Sequence, residues 1–224
     1  MNHTSTVIDA TSPHPASAGR FIVFEGLDGA GKTTQLRLLE NRLRAAGRRV
    51  HCTAEPTSSA IGGLIRDSLS GNHPRCAEEL AALFLADRIA HNADPIRGFG
   101  RLLDAGTDVI SDRYYYSCFA YQGAETDLDW VMDMHLRCPA LRRPDLCVYL
   151  DLDPERAVAR IAQGRENVEI YENARKLTEA RERYFRVFDR LAERGEVIRV
   201  IDADAEADAV AEAVWASVRE VCGL

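Results

Sequence analysis

Residues 24–35 read FEGLDGAGKTTQ and contain the pattern G-x-x-x-x-G-K-T at Gly26, Gly31, Lys32 and Thr33. Glycines let the backbone wrap close around phosphate oxygens with its N–H groups turned inward. In such a loop Lys32 reaches the β- and γ-phosphates and Thr33 offers its hydroxyl to Mg2+, while the helix that follows adds its positive end. Gly26, Leu27, Asp28, Gly29, Ala30, Gly31, Lys32, Thr33 and Thr34 are therefore the expected ATP-binding loop. An ordinary glycine turn is the alternative, and the position of the motif between a strand-like run and a helix-like run argues against it.

The loop alone does not separate a kinase from a hydrolase or a switch. No N-K-x-D guanine-reading motif is present, and 224 residues leave little room for the added domains of a helicase or transporter ATPase. Asp112-Arg113 follows an apolar run, where a carboxylate can hold Mg2+ through water and a guanidinium presents a fork that fits phosphate. A surface ion pair is the plainer reading of that pair. Phe84 and Arg88 stand four apart on a helical stretch and so share a face, either as core and solvated charge or as parts of a pocket. Asp28 sits in the phosphate loop itself, where an acid is unexpected unless it meets something other than phosphate. Gln122 carries both donor and acceptor atoms, and Tyr121 beside it is either pocket wall or core.

The elements that would position these residues can be read from periodicity. RFIVFE (20–25) is a buried strand, and KTTQLRLLENRLRAAG (32–47) is a helix with Leu36, Leu39 and Leu43 on one face and Gly47 as a stop. Further strands are expected at RRVHCTAEP, at TDVISDRYYY (107–116, running into a loop), at PDLCVYLDLDPE (144–155) and at GEVIRVIDAD (195–204). The stretch 60–105 is mainly helical, a helix follows Pro154, and an alanine-rich helix through Trp215 closes the chain. This alternation predicts an α/β fold, a five-stranded parallel sheet with helices on both faces in three layers. The loops after Glu25, Thr53, Asp112 and Asp151 should then face one cleft at the carboxyl ends of the strands. ARIAQGRENVEIYENARK (159–176) interrupts a helical region, and Arg160, Arg165, Glu166 and Tyr171 make residues 160–173 a candidate lid.

Bulk properties narrow the class. Hydrophobic residues are 46%, charged residues 28% and the net charge is −7, which argues against a nucleic-acid binder with a basic face. The six cysteines have no metal-binding spacing and read as reduced thiols of a cytoplasmic protein. No apolar run approaches the ~20 residues that span a bilayer. Residues 1–19 are polar and proline-dotted and read as a disordered leader, with 20–224 as one domain.

Five patches, GLDGAGKTTQ, AEPTSSAIGGLIRD, ALFLADR, SDRYYYSCFAYQG and RENVEIYEN, together resemble the thymidylate kinases over about residues 20–202. The resemblance implies a P-loop NTPase-type fold, ATP and dTMP as substrates, Mg2+, dTDP and ADP as products, and a homodimer. It implies that Arg113 grips the acceptor phosphate, Phe84 stacks on thymine, Arg88 and Gln122 read the base edge, and Asp28 meets the sugar 3′-hydroxyl. Ser117 and Tyr121 are expected to complete that dTMP pocket, with Tyr171 over the sugar and Thr33 and Asp112 at the metal. Some relatives place an arginine next to the loop acid; here that position is Gly29, so a lid arginine, Arg165 before Arg160, is expected to take its part. Many relatives have arginine before Glu-Pro where this chain has Ala54, which leaves its work to Arg66 or Arg88, or points to an altered pocket. A kinase for dUMP or a modified deoxypyrimidine monophosphate, and a non-catalytic nucleotide-binding module, are the alternatives.

Overall fold

A computed structural model describes residues 19–161 and 167–224, the side chains of 167–173 excepted. In chain order its elements are β1 (Phe21–Gly26), α1 (Lys32–Ala45), β2 (Val50–Ala54), α2 (Ala60–Leu69), α3 (Ala77–Ala93), α4 (Gly100–Asp104), β3 (Asp108–Asp112) and α5 (Tyr115–Tyr121). After a 3-10 turn at Gln122–Ala124 come α6 (Leu128–Leu136), β4 (Leu146–Asp151), α7 (Pro154–Ile161), α8 (Asn167–Ala192), β5 (Ile198–Asp202) and α9 (Ala207–Cys222).

The strands form one parallel sheet in the order β2-β3-β1-β4-β5. β1 and β4 are covered on both faces, which is why FIVFEG and LCVYLD read as nearly continuous apolar runs instead of alternating ones. Side chains still divide with a period of two. Ile22, Phe24, Val148 and Leu150 pack with Leu36, Leu39 and Leu43 of α1 and Val210, Val214 and Val218 of α9. Phe21, Val23, Cys147 and Tyr149 pack on the other face with the aromatic start of α5 and with Tyr184, Val187 and Phe188 of α8.

Register brings the strand ends level. Phe24 of β1 lies opposite Asp112 of β3 and Val148 of β4, and Ala54 of β2 lies opposite Asp112. The loops after β1, β2 and β3 therefore open on the same edge, as the strand-helix alternation predicts.

The expectation for SDRYYY needs correction. The strand stops at Asp112, and the tyrosines open a seven-residue helix that buries Tyr115, Tyr116 and Phe119. A tyrosine run looks strand-like by propensity, but burial against α8 decides the outcome. Helix α6 also escapes periodicity; its visible signal is Asp127, whose side chain accepts from the Trp130 N–H as an N-cap. Residues 167–176 lie inside the long helix α8.

Candidate functional site

The phosphate loop closes directly onto α1. Gly31 at φ 89 precedes the helix, and no side chain caps its N-terminal N–H groups, so these donors face outward where an anion can take them. Leu27 and Ala30 are buried and pin the loop to the core. Gly29 has φ 83, and a Cβ there would lie 2.8 Å from the Ala157 carbonyl of α7. This contact is a physical reason why the arginine of some relatives has no place at position 29. Gly29→Ala is expected to lower stability by about 1–3 kcal/mol through backbone strain and displacement of α7, measurable by urea unfolding.

Lys32 lies folded back on its own loop, donating to the carbonyls of Gly26 (3.1 Å) and Leu27 (3.0 Å), 3.7 Å from Asp28 Oδ1. Burial, then the charge of Arg113, lowers its pKa to about 8, which leaves it an ammonium at neutral pH and ready to exchange weak carbonyl partners for phosphate. Thr33 Oγ1 stands 3.4 Å from Asp112 Oδ2. A hydroxyl and a carboxylate facing each other beside a phosphate loop are hard oxygen donors that suit Mg2+, with nucleotide phosphates supplying further ligands.

Arg113 follows Asp112 in the left-handed region, φ 71, which turns its side chain across the strand ends toward the loop. Its Nη2 donates to Asp28 Oδ1 at 2.6 Å, and Nη1 donates to the Tyr184 hydroxyl at 3.1 Å and lies 3.4 Å from Ser117 Oγ. The guanidinium carbon lies 5.8 Å from the centre of the Tyr121 ring. Burial opposes the Arg113 charge, but Tyr184, Glu25, Tyr121 and Asp28 hold its pKa well above the usual arginine value. Burial would raise Asp28 as well, yet Arg113 and Lys32 outweigh it and hold that carboxyl below its ordinary range.

Asp28, Gly29, Gly31, Lys32, Thr33, Thr34, Ala54, Glu55, Asp112, Arg113 and Arg160 line a cleft of about 530 Å3. Arg160 of α7 reaches over its lip, with Nη1 3.4 Å from the Gly29 carbonyl and Nη2 3.4 Å from that of Ala203. Arg165 and Glu166, and the side chain of Tyr171, lie outside the described residues.

The base-reading candidates gather where α3 meets the end of α5. Phe84 is half-buried against the aromatic core, Tyr121 stands edge-on to Tyr184, and Gln122 is 5% exposed at the 3-10 turn against which α3 packs. Arg88 is 1% exposed and gives Nε (2.7 Å) and Nη2 (2.6 Å) to Glu55 Oε2. Its Nη1 is buried with no hydrogen-bond partner among the described residues. Arg66 donates to the carbonyls of Pro56 and Thr57. Neither arginine lines the cleft beside Ala54.

Four residues that sequence reasoning passed over hold this arrangement together. Glu55 also accepts from His91 Nδ1 (2.9 Å), whose Nε2 meets the Thr53 hydroxyl (2.7 Å). Asp87 accepts from the Thr57 N–H and from the hydroxyls of Thr57 and Ser59, tying α3 to the loop before α2. Glu25 and Tyr184 meet beneath Arg113. Glu55 stands beside Pro56 in a quoted motif, but the sequence offers no sign that its partner is Arg88. Glu55→Ala is expected to destabilise the fold by about 3–5 kcal/mol, because Arg88 is then a buried, uncompensated cation. Adding Arg88→Met should recover much of that loss in the same unfolding measurement.

A parallel sheet whose first strand runs through a glycine loop into an uncapped helix, with a lysine held behind the loop, defines the P-loop class of nucleotide-binding proteins. The sequence profile of the family described as thymidylate kinase matches residues 24–214. A thymidylate kinase of Thermomicrobium roseum is 38% identical over 205 residues, covering 90% of this chain and 95% of the relative. A protein of Pyrococcus abyssi described as "Probable thymidylate kinase" is 37% identical over 213 residues, covering 92% and 99%. The chain belongs to the thymidylate kinase family.

Proposed function

We propose that this protein transfers the γ-phosphoryl group of ATP to dTMP, giving dTDP and ADP. The observation that supports this reading best is the Lys32–Asp28–Arg113 cluster, in which two cations meet one carboxylate where a donor and an acceptor phosphate would approach each other.

ATP would enter along Gly26–Thr34, drawing Lys32 from its loop carbonyls onto the β- and γ-phosphates. The acceptor phosphate would compete with Asp28 for Arg113, and the released Asp28 would be free to meet the sugar 3′-hydroxyl. The acceptor phosphate, with a second pKa near about 6, is already largely a dianion, so no protein base is needed. Catalysis then rests on position and charge neutralisation by Lys32 and Arg113. Mg2+, held through Thr33 and Asp112, would neutralise charge on the nucleotide phosphates. Phe84, Arg88, Tyr121 and Gln122 would form the base pocket, with Ser117 supporting the phosphate end. Arg165 and Tyr171 are proposed to act from a lid over about 160–173, with Arg160 as a second cation at the cleft lip.

A homodimeric assembly and a cytoplasmic location complete the proposal. Exposed Leu64 and Leu69 on α2 are compatible with the first. No helix among the described residues is long and apolar enough to cross a membrane. The division into a leader (1–19) and a single domain (20–224) also stands as a proposal.

The test is ADP formation with Mg2+-ATP and dTMP, dUMP, dCMP, dGMP and dAMP in parallel. A strong preference for dTMP is expected. Preference for another pyrimidine would move the acceptor assignment to the surroundings of Ala54 and Gln122, and no turnover with any of the five would remove the kinase reading.

A further inference from the structure

We infer that Glu25 and Tyr184 are positioning residues for Arg113, forming a buried bracket that fixes the guanidinium before any acceptor arrives. The inference rests on the proposed role of Arg113 at the acceptor phosphate.

Glu25 is a carboxylate in a strand whose six residues are all buried, an expensive location unless its oxygens are satisfied. Four donor groups satisfy them. Oε1 accepts from the Tyr114 N–H (2.9 Å) and the Ser117 N–H (3.2 Å), the first turn of α5. The Ser117 hydroxyl donates to the same carboxylate, 2.9 Å from Oε1 and 2.8 Å from Oε2. Oε2 accepts from the Tyr184 hydroxyl at 2.9 Å and lies 3.7 Å from Arg113 Nη1. Neither Glu25 nor Tyr184 is among the residues that line the cleft.

The geometry gives each member one task. The Arg113 backbone is tied by its N–H to the Phe24 carbonyl at 2.9 Å, one residue before Glu25. The Glu25 carboxylate anchors the start of α5, which sets where the Arg113 backbone leaves the strand. The Tyr184 hydroxyl donates to Glu25, which orients its lone pairs toward Arg113 Nη1. One edge of the guanidinium is thereby fixed from below, and Nη2, whose partner among the described residues is the exposed Asp28, is left on the cleft side for a phosphate. Tyr184 belongs to α8, whose residues 167–173 fall within the proposed lid, so the bracket also links that helix to the acceptor end of the cleft.

The test uses Tyr184→Phe, which keeps the buried ring and removes only the hydroxyl. In the full-length enzyme, KM for dTMP is expected to rise about 5–20-fold, because the Tyr184 hydroxyl makes two of the hydrogen bonds in the bracket, with KM for ATP within about twofold. In an Arg113→Ala background the same change should add less than about twofold, because the bracket then has nothing to hold. Equal effects on both nucleotides, or an undiminished effect without Arg113, would mean that Tyr184 acts only through stability and would overturn the inference. Glu25→Gln is the second variant, expected to show the same dTMP-selective rise; a folded Glu25→Gln enzyme with unchanged KM for dTMP would equally overturn it. If the wild type uses a different monophosphate, the constants are read for that one and only the dTMP assignment falls. If it binds none of the five, Arg113 grips no acceptor and both readings fall together.

Discussion

Lys32→Ala should lower kcat by about 10²–10³-fold or more while the protein remains folded. Removing a single preorganised charge-stabilising group from a phosphoryl- or acyl-transfer site has effects of this size, and Lys32 is the cation of the phosphate loop itself. The stability side runs the other way. Without a ligand the ammonium is buried, its pKa is depressed to about 8, and its partners are two backbone carbonyls and the carboxylate of Asp28. Replacing a cation that burial disfavours should change unfolding free energy by no more than about 1 kcal/mol. The pair of measurements is steady-state turnover and a urea midpoint. Near-normal turnover would take Lys32 out of the mechanism, whereas collapse of the fold would show that the loop needs the lysine as a strut.

Arg113→Ala is expected to reduce kcat/KM for dTMP by about 10³-fold, with KM for ATP changed by less than about threefold. The estimate corresponds to losing two charge-assisted hydrogen bonds of roughly 1.5–3 kcal/mol each. Glu25 is pushed above the usual carboxyl range by burial, with Arg113 the main opposing charge. Once the arginine is gone Glu25 can take up a proton, and the fold should survive. Arg113→Lys should fall between, since it keeps the charge but loses the planar fork. Kinetics with each nucleotide varied separately decides the matter: equal loss for ATP and dTMP would show that the cleft is not divided into donor and acceptor halves as proposed.

What the sequence determined by itself is what depends on neighbours in the chain. The spacing of Gly26, Gly31, Lys32 and Thr33 specifies a phosphate loop because loop, glycine conformation and helix start are all local. The runs at β1 and β4 announce buried parallel strands because both faces need apolar groups, and the alternation of such runs with helices leaves few topologies. Asp112-Arg113 could be singled out because it follows one of those strands.

What only the tertiary structure decided is which charges meet. Asp28 and Arg113 are 85 residues apart, Glu55 and Arg88 33 apart, and Glu25 and Tyr184 159 apart. A polar residue in a buried strand has no periodicity of its own, and no local pattern says which distant donor will satisfy it. Those partners are selected when the sheet order places β1 between β3 and β4 and α5 and α8 close over one face. The same packing made a helix start at Tyr115, within the stretch 107–116 expected to be a strand running into a loop. Desolvation makes each unpaired polar group costly, so the fold that pairs Glu25, Glu55 and Asp87 also fixes the arginines above them.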